Sequence, residues 1–126
     1  MTEIENRESI DIDVVIVGAG PAGLATAIKL KQQAEEAGKE ISITILEKGS
    51  EVGAHILSGA VIDPVGLDSL LPNWRDLDHP VMDEVVTDKF YLLGPAGGIR
   101  IPNLLMPPIM SNDGCYVTSL SNLTKW

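Results

Sequence analysis

The chain has 126 residues, of which 44% are hydrophobic, so it is long enough to bury one modest core. Its formal net charge of −9 argues against nucleic acid as a partner, because nucleic-acid phosphates would be repelled. A single cysteine, Cys115, excludes a disulfide within the chain and a metal site made of cysteine alone, and we expect an ordinary strand residue there.

Residues 1–11 are mostly polar, which predicts a flexible N-terminal tail. The first ten residues include three glutamates and one arginine, unlike a secretory signal or an arginine-rich transit peptide. No apolar run along the chain approaches the ~20 residues that a membrane-spanning helix needs.

Two strands and one helix are predicted next. Residues 12–17 end in four consecutive apolar residues, which favours a parallel strand buried on both faces. Residues 21–37 carry an apolar stripe with helical spacing, and Gly38 is well placed to end that helix. Residues 41–46 alternate in polarity like a strand, and Glu47 follows them directly.

A glycine-rich turn joins the first strand to the helix and matches the pattern G-x-G-x-x-G. Gly18 permits a sharp turn, Gly20 lets a pyrophosphate approach the backbone, and Gly23 lets the helix pack closely on the strand. The free N–H groups of the first helical turn and the helix dipole would then face an anion. The turn consists of Gly18, Ala19, Gly20, Pro21, Ala22 and Gly23.

The pattern alone is weak, but here a predicted strand precedes it, a helix follows it, and an acid ends the second strand. Glu47 lies near the ~20-residue distance expected of an acid that binds the adenosine ribose. Such an acid disfavours the 2′-phosphate of NADP, whereas FAD and NAD both remain open. The alternatives are a glycine-rich turn in an ordinary α/β core, and a surface pair between Glu47 and Lys48.

Residues 48–60 are rich in glycine and are predicted to form a loop over the cofactor crevice. Asp63 and Pro64 are suited to cap and begin a short helix. The apolar residues of that segment recur at helical spacing and belong either to the core or to a surface that meets a membrane or a partner. They are Leu67, Leu70, Leu71 and Trp74.

The remaining residues predict short elements. Residues 75–84 are charged and are interpreted as an exposed linker, whereas residues 84–93 and 99–101 suggest a β-hairpin around a glycine-rich turn. Prolines exclude a central strand from 102 to 108. Residues 114–118 favour another strand, and a final helix begins near residue 119. Because only two parallel strands and one crossover helix of a nucleotide-binding fold are recognisable, we expect the N-terminal fragment of a larger enzyme.

The glycine turn together with Glu47 resembles the FAD signature of the glutathione-reductase-like flavoproteins. A more specific resemblance lies in residues 52–64, Val-Gly-Ala-His-Ile-Leu-Ser-Gly-Ala-Val-Ile-Asp-Pro. They are similar to the corresponding loop of the electron-transfer flavoprotein:ubiquinone oxidoreductase family. Residues 100–102, 107–116 and 119–126 resemble the same family, so the similarity covers nearly all of the chain from Asp13 onward.

This resemblance implies an α/β fold with a Rossmann-like FAD-binding βαβ unit in residues 12–80. Residues 81–126 would begin a mixed α+β domain for the quinone or substrate, and the fold would be incomplete. The implied activity is FAD-dependent electron transfer from reduced electron-transfer flavoprotein to ubiquinone, with the fragment alone inactive. The alternatives are another FAD oxidoreductase of the same fold, such as a geranylgeranyl reductase-like protein, or a non-catalytic dinucleotide-binding module.

The resemblance also implies a [4Fe–4S] cluster in the full-length enzyme, with its ligands outside this chain, and no catalytic side chain within it. Members of the family lie on a membrane as monotopic proteins, at the cytoplasmic face of the bacterial inner membrane or at the mitochondrial inner membrane. The candidate membrane contact is the apolar patch of Ile62, Leu67, Leu70, Leu71 and Trp74. The candidate FAD contacts are Gly18, Ala19, Gly20, Pro21, Ala22, Gly23, Glu47, Lys48, His55, Ser58 and Gly59.

Overall fold

A computed structural model describes residues 8–126, apart from the side chain of Met82. The N-terminal tail predicted for residues 1–11 therefore lies largely outside the described residues, and residues 8–11 have no regular secondary structure. The chain forms two compact units, of which the first extends to Val52 and the second runs from Gly53 to Trp126.

The first unit is a βαβ unit, as the sequence predicted. Strand β1 (Val14–Val17) and strand β2 (Ile43–Leu46) pair in parallel, and helix α1 (Pro21–Glu36) connects them. In the register, Val14 lies opposite Ile43 and Val17 lies opposite Leu46. Because the pairing is in register along the whole length of both strands, their carboxyl ends lie side by side.

Both strands begin two residues later than predicted, because two side chains take over the backbone hydrogen bonds at that point. The amide and the hydroxyl of Ser42 donate to Asp13 Oδ2 over 2.8 and 2.6 Å, and the Asp13 amide donates to Ser42 Oγ over 2.9 Å. The hydrogen bonds from Ser42 also hold the pKa of Asp13 below its usual value. This clip fixes the register at the start of both strands.

Helix α1 ends within one residue of the predicted position, at a glycine in the left-handed conformation. Gly38 has φ +64°, and its amide donates to the Glu35 carbonyl over 3.0 Å. The amide of Lys39 donates to the Ala34 carbonyl over 2.8 Å. These two bonds satisfy carbonyls that the last helical turn leaves unpaired, in the arrangement known as a Schellman motif.

The two faces of the parallel sheet differ in exposure, which corrects one prediction. Val14 and Ile16 are partly buried on the face towards α1, whereas Val15 and Val17 on the opposite face are 52% and 84% exposed. The expectation of a strand buried on both faces is therefore wrong for this chain. The reason is that a single crossover helix covers only one face of the pair.

The second unit is built on a three-stranded antiparallel sheet in the order β3–β7–β4. The strands are β3 (Ala60–Ile62), β4 (Val81–Glu84) and β7 (Tyr116–Thr118). A separate hairpin joins β5 (Phe90–Gly94) to β6 (Gly97–Ile101), as predicted. Two short helices, α2 (Val65–Leu70) and α3 (Leu120–Lys125), and the 3₁₀ turns Trp74–Asp76, Asn103–Leu105 and Pro108–Met110 complete this unit.

Two predictions for this unit are wrong in part. The predicted loop of residues 48–60 ends one residue early, because Ala60 already pairs with Thr118 as the start of β3. The predicted linker of residues 75–84 contains all of β4, which pairs with the other side of β7. A third prediction is displaced by one residue, because α2 begins at Val65 with Pro64 as its N-cap, although Asp63 Oδ1 accepts a hydrogen bond from the Val65 amide over 3.0 Å.

Trp74 is the centre of the second unit and is fully buried. Its indole Nε1 donates to Asp68 Oδ1 over 2.8 Å, and its ring meets Tyr116 edge to face with centroids 5.6 Å apart. The Arg75 guanidinium lies 4.4 Å from the centroid of the indole and also forms an ion pair with Asp68. Trp74 therefore belongs to the core, and the leucines that precede it, Leu67, Leu70 and Leu71, are partly buried.

The charge on Asp68 should make the stability of this unit depend on pH. Hydrogen bonds from Arg75 and then from Trp74 hold the pKa of Asp68 below its usual 3.8. A lowered pKa in the folded state contributes stability above the unfolded value, and this contribution disappears as pH falls through the folded value. Asp68→Asn should therefore lower the urea midpoint at neutral pH, and the difference from wild type should shrink below pH 3.8.

Asp76→Asn is the control for that experiment, because Asp76 is an exposed acid in the adjacent 3₁₀ turn. Its urea midpoint should stay close to that of wild type throughout. A loss of stability in Asp68→Asn that is the same at neutral pH and below pH 3.8 would contradict the electrostatic origin.

Candidate functional site

The glycine turn connects the end of β1 to the start of α1 through only a few residues. Gly18 has φ +102°, a conformation that favours glycine, and its amide donates to the Leu46 carbonyl over 2.7 Å. Gly20 is the N-cap of α1 in an extended conformation, and its carbonyl accepts the first helical bond from Leu24 over 3.0 Å. Pro21 occupies the first helical position, where its missing N–H costs nothing.

Gly20 and Gly23, the second and third glycines of the motif, have different surroundings. A Cβ on Gly23 would lie 2.1 Å from the Gly18 carbonyl oxygen and 3.3 Å from Ile16 Cγ2, so only glycine fits between helix and strand. A Cβ on Gly20 would meet no atom within 4 Å. Gly23 is therefore required by packing, whereas Gly20 faces open space that a ligand could enter. The close contact at Gly23 agrees with its predicted packing role, whereas the role of Gly20 stays a prediction.

The start of α1 is suited to an anion. The amides of Ala22 and Gly23 lie too early in the helix to find a helical acceptor four residues before them. The helix is 16 residues long, and no acidic residue within its own first turn opposes an anion there. A phosphate group bound next to Gly20 would accept hydrogen bonds from these N–H groups without any lysine or arginine.

Glu47 lies beside the turn because it follows β2, whose carboxyl end adjoins that of β1. Its Oε2 accepts a hydrogen bond from the Ala19 amide over 2.8 Å, and its Oε1 accepts one from the Gly49 amide over 2.7 Å. Ala19 is buried, whereas Glu47 and Lys48 are exposed. The structure thus brings the predicted acid to the predicted turn and connects the two by a direct hydrogen bond.

Glu47→Gln should destabilise the first unit. A carboxylate accepts through both oxygens, whereas an amide would place an NH₂ group against one of the two backbone donors. Hydrogen bonds to a charged group contribute about 1.5–3 kcal/mol, so we expect a loss of about 2 kcal/mol in the free energy of unfolding. Urea titration measures it, with Glu36→Gln at the exposed end of α1 as the control. Equal stability of the two variants would contradict this role.

The other predicted cofactor contacts belong to the second unit. His55, Ser58 and Gly59 are all exposed, in an irregular segment between Gly53 and β3. The structure therefore assembles the turn and Glu47 within the first unit, and it presents the remaining three residues on a loop of the second unit.

One pair of residues near that loop was not predicted. Gly53 is buried with φ +84°, and its carbonyl accepts a hydrogen bond from Ser121 Oγ over 2.9 Å. Nothing local in the sequence indicates this contact, because the two residues are 68 positions apart. The sequence predicted a glycine-rich loop that includes Gly53, but it did not indicate Ser121 as the partner of this glycine.

The part of the chain that the structure describes holds no group of three or more His, Cys, Asp or Glu residues able to bind a metal ion. From residue 8 onward, no helix combines the length and the apolar character needed to cross a bilayer. Cys115 is partly buried and immediately precedes β7, where its carbonyl accepts a hydrogen bond from the Val85 amide over 2.8 Å.

Comparison with known proteins agrees with this geometry. Residues 16–88, more than half of the chain, match the family described as NAD(P)-binding Rossmann-like domain. The chain belongs to this Rossmann-like family. The match begins within β1 and includes the glycine turn, α1, β2 and Glu47, which are the elements that form the candidate site.

Three relatives of this Rossmann-like chain are named electron transfer flavoprotein-ubiquinone oxidoreductase. The chain is 51% identical to the mitochondrial electron transfer flavoprotein-ubiquinone oxidoreductase of Dictyostelium discoideum, over 98% of this chain and 20% of that protein. It is 53% identical to the Pseudomonas aeruginosa protein of that name, over 95% of this chain and 22% of the relative. The mitochondrial protein of Mus musculus is 45% identical over 95% of this chain and 19% of its own length.

The resemblance seen in the sequence is thus confirmed, and these names do not favour a geranylgeranyl reductase-like protein or a non-catalytic module. The Rossmann-like chain spans about a fifth of the length of the curated relatives that it matches.

Proposed function

We propose that this chain supplies the dinucleotide-binding turn of an FAD-dependent enzyme that transfers electrons from reduced electron-transfer flavoprotein to ubiquinone. The observation that carries the proposal is the glycine turn, in which Gly20 faces open space beside the Glu47 carboxylate. The names of relatives about half identical over nearly the whole chain support the choice of donor and acceptor.

In this proposal the turn from Gly18 to Gly23 holds the pyrophosphate of FAD, and Glu47 accepts hydrogen bonds from the ribose hydroxyls. Lys48 lies next to that acid, and His55, Ser58 and Gly59 contact the flavin end. FAD supplies the redox chemistry when bound, while the protein binds and orients it, so no side chain of this chain has a catalytic role. Functionally, residues 12–80 belong to the FAD-binding domain and residues 81–126 begin the quinone-binding domain.

A [4Fe–4S] cluster in the intact enzyme would need cysteines other than Cys115. Such clusters are held by four cysteine thiolates, and this chain has one cysteine. The absorbance spectrum of the intact purified protein tests both cofactors. Flavin bands with a broad iron–sulfur shoulder are expected, together with reduction of a ubiquinone analogue by reduced electron-transfer flavoprotein. A colourless protein that takes up no added FAD would refute the proposal.

Membrane contact is part of the proposal, at the bacterial inner membrane or the mitochondrial inner membrane, without a spanning helix. The burial of Trp74 argues against the apolar patch that includes this residue as the membrane contact. Exposed apolar side chains are concentrated instead in the hairpin and the turns after it, with exposures from 53% to 95%. We call this set the hairpin surface, and it comprises Tyr91, Leu92, Leu93, Ile99, Leu104, Leu105 and Ile109.

A cross-strand pair on the hairpin surface provides the test. Leu92 and Ile99 lie opposite each other in β5 and β6, so the double variant Leu92→Ser and Ile99→Ser removes two apolar side chains at one place. Burial of each in lipid is worth about 1.5–3 kcal/mol, so binding of the intact protein to phospholipid vesicles should weaken at least about tenfold in a flotation assay.

Leu57→Ser with Val65→Ser is the matched control, because both residues are highly exposed but lie outside the hairpin surface. Its vesicle binding should equal that of wild type. The double variant Leu70→Ser and Leu71→Ser tests the other candidate. If it folded but no longer floated with vesicles, while the hairpin variant still bound them, the membrane contact would be the apolar patch and not the hairpin surface.

A further inference from the structure

The loop of residues 53–59, here called the flavin loop, is held at both ends by one continuous stretch of chain. At its C-terminal end, Ala60 pairs with Thr118 in the first position of the β3–β7 ladder. Thr118 is 1% exposed, and its Oγ1 donates to the Pro80 carbonyl over 3.3 Å. This end of the loop is therefore fixed to the central strand of the three-stranded sheet, at its buried residue Thr118.

At the N-terminal end, the loop is fixed to α3, which follows that strand. Ser121 Oγ donates to the Gly53 carbonyl over 2.9 Å, and the same carbonyl accepts from the Ile56 amide over 3.1 Å. A Cβ on Gly53 would lie 2.9 Å from both the carbonyl oxygen and Oγ of Ser121. Loop and helix thus approach more closely than any other residue at position 53 would allow.

The helix that carries Ser121 is capped at its N-terminus and partly buried. Ser119 Oγ accepts a hydrogen bond from the Asn122 amide over 3.4 Å as the N-cap of α3. Thr124 is 7% exposed, and its Oγ1 donates to the Leu120 carbonyl over 2.7 Å. Between the two anchors, by contrast, His55 and Ser58 are exposed and Leu57 is 87% exposed.

We propose that Ser121 is a positioning residue, which fixes the flavin loop through the Gly53 carbonyl and thereby places His55, Ser58 and Gly59 against the flavin. This inference rests on the proposed function, because it needs FAD as the ligand of the loop. Ser121 acts through the loop backbone and does not itself touch the cofactor. Without its hydroxyl, the Gly53 carbonyl keeps one of its two hydrogen bonds, and the start of the loop is free to shift.

The experiment uses Ser121→Ala in the intact protein, stripped of cofactor and titrated with FAD. We expect FAD affinity to fall by up to about fivefold, because binding must then order a loop that has lost one of its hydrogen bonds. The flavin absorbance bands and the flavin midpoint potential should also shift, because the polar groups around the ring move. Ser69→Ala, at an exposed position of α2, should match wild type in all three measurements.

Ser119→Ala separates positioning from stability, because it removes the α3 cap without touching Gly53. It should lower the melting temperature and leave the flavin spectrum and potential unchanged. Wild-type affinity, spectrum and potential in Ser121→Ala would overturn the inference, as would equal spectral shifts in the Ser119 and Ser121 variants. A wild-type protein that binds no FAD would instead refute the proposed function, and this inference with it.

Discussion

A Gly20→Val protein should fold and yet bind FAD on the order of 100-fold more weakly than wild type. The structure places no atom within 4 Å of a Cβ at position 20, and the backbone there is extended with φ −77°, so a side chain can be attached at this position without a clash at its Cβ. It would occupy the space through which a pyrophosphate reaches the first helical N–H groups. Losing one or two charge-assisted hydrogen bonds amounts to roughly 3 kcal/mol.

The measurement is FAD titration of the cofactor-free intact protein, with a urea curve for the same sample. Valine is a poorer N-cap than glycine, so a stability loss of about 1 kcal/mol is expected and does not count against the interpretation. The control is Gly66→Ala, because Gly66 lies in α2 outside the proposed FAD contacts and a Cβ there also meets nothing within 4 Å. Unchanged FAD affinity in a folded Gly20→Val protein would show that the ligand does not approach this turn.

Gly23→Ala should have the opposite profile, with a large loss of stability. A Cβ at position 23 would lie 2.1 Å from the Gly18 carbonyl oxygen, which is backbone and cannot rotate away. The start of α1 would have to move off β1 and disturb the Ile16 contact. Such overpacking typically costs about 1–3 kcal/mol, and a clash with backbone belongs at or above the upper end. The urea midpoint should therefore fall sharply, and FAD binding should fall with it.

Gly66→Ala is the matched control, since Gly66 is a helical glycine in α2 and a Cβ there would meet nothing within 4 Å. Alanine inside a helix is more favourable than glycine by about 0.5–1 kcal/mol, so this variant should be slightly more stable than wild type. If Gly23→Ala were equally benign, the close approach of helix and strand would not be required for folding.

The features that were predictable from sequence are those that depend on neighbouring residues. Gly18 and Gly38 both adopt left-handed conformations where a sharp turn and a helix end were expected. The hairpin of β5 and β6 was recognisable because a glycine-rich turn separates two apolar runs. The position of Glu47 at the turn followed from one general rule, that adjacent parallel strands end at the same edge of a sheet.

Features that depend on distant partners could not be predicted in the same way. Residues 60–62 are too short a run to be recognised as a strand until Thr118 is seen opposite Ala60. The partner of Gly53 lies 68 residues away, so no local pattern could indicate Ser121. The burial of β1 was also predicted wrongly. Its apolar composition does not show that α1 covers only one face of the sheet, and Val17 on the other face is 84% exposed.

The Glu47 carboxylate joins two loops that come from different strands, through the amides of Ala19 and Gly49. The protein alone therefore holds the turn in shape, before any ligand arrives. A preorganised turn loses little conformational entropy when a nucleotide binds, so more of the contact energy appears as affinity. A ribose that donates hydrogen bonds to Glu47 would use the same carboxylate that holds the turn. This shared carboxylate would link binding of the adenosine half of the ligand to binding of the pyrophosphate half.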